Sequence, residues 1–374
     1  KLLPYQEPNQ YFSYYLRDAW HLAQFHQLQF HHFHAPSQEQ CFIASQLLLA
    51  NRHLAVDDFL TLAKQTFLCL WEHQHQKLAT LCLRFQTLSA STTRKKLQQA
   101  EILFSASPAQ RPAALFYQGQ WFYGIEELNF LAQLLSQKQL NINQCGFVLD
   151  DEQHQGEQNY LIKDPQQLAS IRAQKLDIDY YFSFDEPLSY IYLVAASQLA
   201  DYYQIKLNLK PILLDSMTVP SWKSQFSHLQ HLASIYNLEL NRHYVLSPNG
   251  LTNCHALFFA AQQQEKPLEI TLLLLQAIWS NAQDLSYMPH LKALGAALNL
   301  NNSELKTLLK QNLWHSNVEH NTAAWLELDL PHLPSFYLQG ERRISFCGAQ
   351  RLWAIEMVLI DNIKEIKTYA LHGN

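Results

Sequence analysis

The sequence predicts an α/β protein built as two tandem units of one design, and three observations carry that prediction. The chain nearly repeats itself. Glu7-Pro8 opens a helical run ending Leu22-Ala23-Gln24-Phe25-His26-Gln27-Leu28-Gln29-Phe30, and Glu186-Pro187 opens another ending Leu199-Ala200-Asp201-Tyr202-Tyr203-Gln204-Ile205-Lys206-Leu207. The offset is 179 residues at the Glu-Pro pair and 177 at the helix end, so one two-residue indel separates the copies. A repeat means that half the chain folds as one unit. Around the second Glu-Pro pair, the pattern runs strand, helix, strand within about 35 residues, which is a βαβ unit. Finally, 374 residues of which 48% are hydrophobic suffice for two cores without disulfide staples.

The elements of the second copy follow in order. Ile178 to Phe184 is short and aromatic-rich, a strand. Pro187 suits the first turn of a helix, where its missing N–H costs nothing. Ile191, Val194, Ala195, Leu199 and Tyr202 then recur at helical spacing up to Tyr203. Ile205 to Ile212 alternates apolar and polar, so a second strand is predicted, parallel to the first with a right-handed crossover. Helices are predicted over Ser224–Tyr236, Asn253–Gln264, Glu269–Asn281, Leu291–Leu298 and Ser303–Leu313, with Ser303 as an N-cap. Pro334 to Leu338 and Arg343 to Phe346 form a hairpin, and Gln350–Ile360 is a closing helix.

The first copy has the same order. Lys1 to Gln6 is a strand stub, Tyr11–Gln27 a helix and Leu28–His34 a strand. Helices over Val56–Leu70 and Lys95–Phe104 precede a hairpin at Pro112–Tyr117 and Trp121–Tyr123, turned at Gly119, and a helix to Leu135. Even the insertions agree: Cys69-Leu70-Trp71-Glu72 sits where Ala277-Ile278-Trp279-Ser280 sits. The polar, Gln-rich segment between the copies reads as an exposed linker, with strand composition only at Tyr160-Leu161-Ile162. The expected division is residues 1–136, a linker 137–175, and residues 176–374.

The bulk numbers exclude several classes. A net charge of −5, with both signs scattered, argues against a nucleic-acid partner, which needs a basic face. No stretch reaches the ~18 apolar residues of a membrane helix. Six dispersed cysteines without a C-x-x-C pair read as free thiols in a reducing compartment, so a cytoplasmic location is expected.

Four segments in the right order resemble one family. Tyr180-Tyr181-Phe182-Ser183-Phe184-Asp185-Glu186-Pro187-Leu188-Ser189-Tyr190 resembles the opening of the 2-hydroxychromene-2-carboxylate isomerase and kappa-class glutathione transferase family, in which a strand ends in Ser-Pro-Tyr-Ser-Tyr/Trp. Asn253 resembles the asparagine that opens that family's inserted helical domain. Asn321-Thr322-Ala323-Ala324 with Leu330-Pro331-His332-Leu333-Pro334-Ser335-Phe336 resembles its Thr-x-Glu-Ala … Gly-Val-Pro-Thr-Phe segment, and Gly348-Ala349-Gln350-Arg351-Leu352 its Gly-x-Asp-Arg-Leu. The resemblance covers about 176–360 well and 1–135 mainly through the repeat. It implies two tandem thioredoxin-like domains of the DsbA type, each with a helical insertion. It further implies cis bonds at Leu333-Pro334 and Arg111-Pro112, and an internal pseudo-dimer, because relatives commonly pair as homodimers.

By the same resemblance the reactive atom stands at the N-terminus of the first helix, where N–H groups and the helix dipole hold an anion. Oxidoreductases of this fold carry Cys there, and the glutathione-dependent enzymes carry Ser. This chain carries Glu186, and Glu7 in the other copy. Disulfide exchange at that point is chemically excluded, since no sulfur is present. An ionised carboxylate would also repel a thiolate rather than donate to it. Glu186 thus either caps its helix or serves as a general base or cation-binding group in a partly apolar cleft, its pKa raised by burial. Ser189 matches the family's second serine, and Tyr190 its aromatic residue, with core packing as the plainer role. With Glu186 and Ser189 as the catalytic pair, the expected binding residues are Asn253, Leu333, Pro334, Arg351 and Tyr190. Glu7, Arg111 and Pro112 are their first-copy equivalents. Gln350 replaces the family's aspartate, which weakens the expectation of glutathione as cofactor.

No metal site is expected. His32 and His34 share a strand face, but no nearby carboxylate or cysteine in sequence completes a ligand set. Two functions stand open: a glutathione-type isomerase, transferase or oxidoreductase relative acting on a small molecule, and a non-catalytic module holding a peptide or small ligand at the cis-proline groove.

Overall fold

The structure is a computed structural model that describes residues 12–25, 28–32, 34–106, 114–123, 127–137, 160–213, 226–242, 245–311, 313–339, 343–348 and 351–359. The chain divides into two units, Lys1–Leu149 and Asp150–Asn374.

In the N-terminal unit, helices α1 (Phe12–Phe25), α2 (Gln38–Ala50), α3 (Val56–Trp71), α4 (His75–Arg84) and α5 (Ala90–Ala106) precede a hairpin and α6 (Glu127–Gln137). The hairpin pairs β1 (Ala114–Tyr117) with β2 (Gln120–Tyr123) antiparallel. Its two-residue turn needs left-handed backbone twice, at Gln118 (φ 49°) and Gly119 (φ 83°), the geometry that matches strand twist. Ala44, Leu47, Leu62, Leu70, Leu78 and Leu81 pack the core of α2–α4.

The sequence pattern misplaced two things here. Helices α2 and α4 stand where no element was predicted, α2 started by the Ser37 hydroxyl accepting the Gln40 N–H. The strand predicted over Leu28–His34 is absent among its described residues. The His31 N–H donates instead to Glu72 Oε1 (3.1 Å), and the His31 ring pairs with Glu72 Oε2 (2.9 Å). A side chain 41 residues away has taken the donor a sheet ladder would use.

In the C-terminal unit, α7 (Pro165–Ala173) precedes β3 (Asp177–Phe182), α8 (Pro187–Tyr203) and β4 (Lys206–Pro211). Six helices follow: α9 (Phe226–Ile235), α10 (Pro248–Gln263), α11 (Pro267–Trp279), α12 (Met288–Ala297), α13 (Asn302–Lys310) and α14 (His315–Leu326). The hairpin β5 (Ser335–Leu338) and β6 (Ile344–Cys347) and the helix α15 (Leu352–Leu359) close the unit. The sheet order is β4-β3-β5-β6, with β3 parallel to β4 and antiparallel to β5. This is the predicted β-α-β, helical insertion, β-β-α order. Tyr180, Phe336 and Phe346 form one cross-strand row, their ring centroids 5.0 and 5.2 Å apart in succession. On the other face Asp179 accepts from Asn208 (3.1 Å) and Gln339 (2.7 Å), so a buried carboxylate is satisfied across three strands.

Two details depart from expectation. The cap of α13 is Asn301, not Ser303, in a capping box with Glu304. The stretch 137–175 is not linker throughout. Ile162 is buried, Tyr160 stacks on Tyr202 at 3.9 Å, and Asp164 caps α7. Tyr160-Leu161-Ile162 forms no strand, because the Leu161 N–H goes to Glu356 Oε1 (2.9 Å) and the Ile162 carbonyl accepts the Tyr202 hydroxyl (3.0 Å). Among the described residues, no helix is long and apolar enough to cross a membrane.

Candidate active site at the N-terminus of α8

Strand β3 ends at Phe182 and the chain turns through Ser183-Phe184-Asp185-Glu186 into α8. Pro187 starts the helix and Glu186 is its N-cap, accepting the Leu188 N–H through Oε1 at 3.3 Å. The insertion grips this turn from outside. Trp279 of α11 donates its indole N–H to the Phe184 carbonyl (3.2 Å), and Asp185 Oδ1 accepts the Leu246 N–H (2.8 Å).

Glu186 is half-buried, and packed protein atoms crowd its carboxyl. Desolvation pushes its pKa up to about 8, against the lowering effect of the Leu188 N–H and with a further push from Asp185. Burial therefore outweighs the helix terminus. At neutral pH the group holds its proton in most molecules, so it is a hydroxyl donor.

Register places the rest of the site. Tyr181 pairs with Ser335, so the bond before Ser335 lies at the sheet end where β3 runs into the Glu186 turn. The Leu333-Pro334 bond is cis, and the Pro334 carbonyl accepts the Gly348 N–H (2.9 Å). Beside it the Ser335 hydroxyl accepts from the Trp325 indole (3.1 Å), donates to the His332 carbonyl and lies 3.6 Å from Cys347 Sγ.

The remaining expected residues point inward. Ser189 is fully buried; its hydroxyl accepts the Ser183 N–H (3.2 Å) and its carbonyl accepts the Tyr180 hydroxyl (2.7 Å). Both bonds brace the turn. Tyr190 is buried, with Ser280 Oγ 3.4 Å from its hydroxyl. Asn253 spends its amide N–H on the Leu285 carbonyl (2.8 Å). Arg351 is buried, and its backbone N–H bonds the Gly348 carbonyl. Glu7, Arg111 and Pro112 lie outside the described residues. Among the described residues no group of side chains is spaced to hold a metal ion.

Sequence reasoning missed Asp185 and Trp279 as supports of the Glu186 turn. Trp279 did carry a signal, since it recurs in the other copy as Trp71.

No curated protein matches the chain. Among solved structures, a 2-hydroxychromene-2-carboxylate isomerase is similar at 17% identity and a TM-score of 0.43, covering 50% of this chain and 95% of that one. The cytosolic disulfide reductase DsbM from Pseudomonas aeruginosa is similar at 12% identity and a TM-score of 0.41, covering 50% and 98%. A putative protein disulfide isomerase from Nitrosomonas europaea gives 12% and 0.41, covering 50% and 97%. Residues 177–359 match the family model described as DSBA-like thioredoxin domain. The C-terminal half of the chain thus carries a DsbA-like thioredoxin domain, with a glutamate at the N-terminus of its first crossover helix.

Proposed function

We propose that the C-terminal domain works by proton transfer rather than by thiol exchange, as a relative of the glutathione-type isomerases in which Glu186 stands for the reactive serine or cysteine. The observation that carries this reading is a largely buried carboxyl, held at about 8, at the sheet end shared with Leu333-Pro334. A group titrating near neutrality can give a proton and take one back, the requirement for moving a double bond, and such catalysis is worth about 10²–10⁴-fold. The substrate class is a small aromatic or thiol compound lying between the Glu186 turn and the Leu333-Pro334 bond, with glutathione as the co-substrate to test. We read the N-terminal unit, in which helices precede a hairpin and a closing helix, as a degenerate copy.

Two measurements test the reading. Infrared difference spectra of wild type minus Glu186→Gln at pH 7 should show a protonated carboxyl band; its absence removes the acid–base role. Glutathione at millimolar concentration should raise the wild-type Tm saturably. No shift removes glutathione and leaves a domain acting on another small molecule. Any isomerase turnover should vanish in Glu186→Gln, and unchanged turnover clears Glu186.

A further inference from the structure

His255 of α10 is 0% exposed, and neither of its ring nitrogens has a hydrogen-bond partner. Trp314, at the start of α14, stacks on the ring at 5.0 Å with an interplanar angle of 15°. Phe184 meets it edge-on at 5.3 Å. The Trp314 indole N–H is also buried without a partner, and His315 stacks on Trp314 at 4.8 Å. The surroundings are apolar, with Ala256, Phe259, Leu308 and Val318 around Trp314. A buried polar ring without partners is costly, and in a native structure it calls for a reason.

We propose that His255 is an acid-sensitive latch: its ring can take up a proton only when the α10–α14 contact parts, so acid loosens that contact within the helical insertion.

The charge balance at the ring sets the direction. A second N–H and a full positive charge would enter a place with no acceptor. Stacking on Trp314 would favour the cation through its ring face. Desolvation outweighs this, and with a smaller contribution from His315 it holds the ring's pKa down at about 3, against 6.5 ordinarily. The elements packed around the ring carry other titratable groups: Asp185 and Glu186 beyond Phe184, Cys254 on the same helix, Glu269 on α11, Glu304, Lys306 and Lys310 on α13, and His315, Glu319 and His320 on α14. Of these only His315 acts on the ring, and it opposes protonation.

A base whose folded pKa is depressed favours the closed form above 6.5 and loses that preference as pH falls toward 3. From pH 7.5 to 4.5 the open population should rise about 100-fold.

Hydrogen exchange of the full chain at pH 7.5 and 4.5, corrected for intrinsic exchange rates, tests this. Peptides from α10 and α14 should show the 100-fold rise in wild type and a flat response in His255→Phe, which keeps both aromatic contacts. An equal acid response in wild type, His255→Phe and His255→Leu overturns the proposal. If neither variant folds, the wild-type ring itself decides by NMR. A ring silent down to pH 5 while α10 protection falls supports the latch, and one titrating near 6.5 with α10 protection unchanged overturns it.

Discussion

Replacing Glu186 with glutamine should make the C-terminal domain progressively more stable than wild type as pH rises. The carboxyl's pKa goes from an ordinary 4.5 to about 8 on folding, so the folded domain holds a proton the unfolded chain releases. The sign follows: the stabilising effect is full below 4.5, falls as pH rises, and is gone above about 8. At about 1.4 kcal/mol per pKa unit, the whole difference is worth roughly 5 kcal/mol, of which about 3.5 falls between pH 5 and 8. The partial solvent contact of the side chain reduces this, so a change of about 2–4 kcal/mol is expected over that window. Glutamine matches the shape, and its carbonyl oxygen can still accept the Leu188 N–H, so its own stability carries no such slope. Urea unfolding at several pH values between 5 and 8, followed through the C-terminal domain's transition, gives the wild-type-minus-variant difference. Other titrating groups cancel in it. A flat difference across the window would refute the burial argument, because it would mean that Glu186 is ionised in the folded state at pH 7.

Two smaller perturbations probe the supports of the fold. Tyr203→Phe removes the hydroxyl that donates to the buried Glu356 (2.5 Å), leaving that carboxyl with the Leu161 N–H as its other donor at Oε1. A loss of about 1–3 kcal/mol is expected, growing with pH because the lost bond favoured the ionised form; an unchanged urea midpoint counts against it. Asn301→Ala breaks the capping box of α13 and should cost about 1 kcal/mol, read as faster amide exchange confined to the first turn of that helix.

What could be read from the sequence, and what could not, divides by the range of the interaction. Strands β3 and β4 and helix α8 announce themselves because side-chain period is local, and Pro187 marks the helix start through its own missing N–H. Where a partner from far along the chain decides the outcome, the pattern misleads. Leu28–His34 has strand composition, yet Glu72 claims its N–H. Residues 160–162 have strand composition within a polar stretch, yet Glu356, 195 positions on from Leu161, takes the N–H a ladder would use. The same holds at the site. Glu186 can be placed at the helix N-terminus from its position before Pro187, and a pKa raised by burial is one of the two readings open there, but the sequence does not decide between them. The sequence shows a carboxylate beside helix N–H groups, an arrangement that by itself lowers a pKa. The folded insertion holds the turn, Phe184 through Trp279 and Asp185 through Leu246, and burial there reverses that sign. Ser189 shows the complementary limit: serine in a ligand-binding motif and serine bracing a turn are the same letter, and only the fold shows the Ser183 N–H pointing at its hydroxyl. The functional reading therefore rests on the insertion as much as on the thioredoxin-like sheet. A domain with this sheet but without the helices around Trp279 would leave Glu186 hydrated, ionised and unable to exchange a proton near neutral pH.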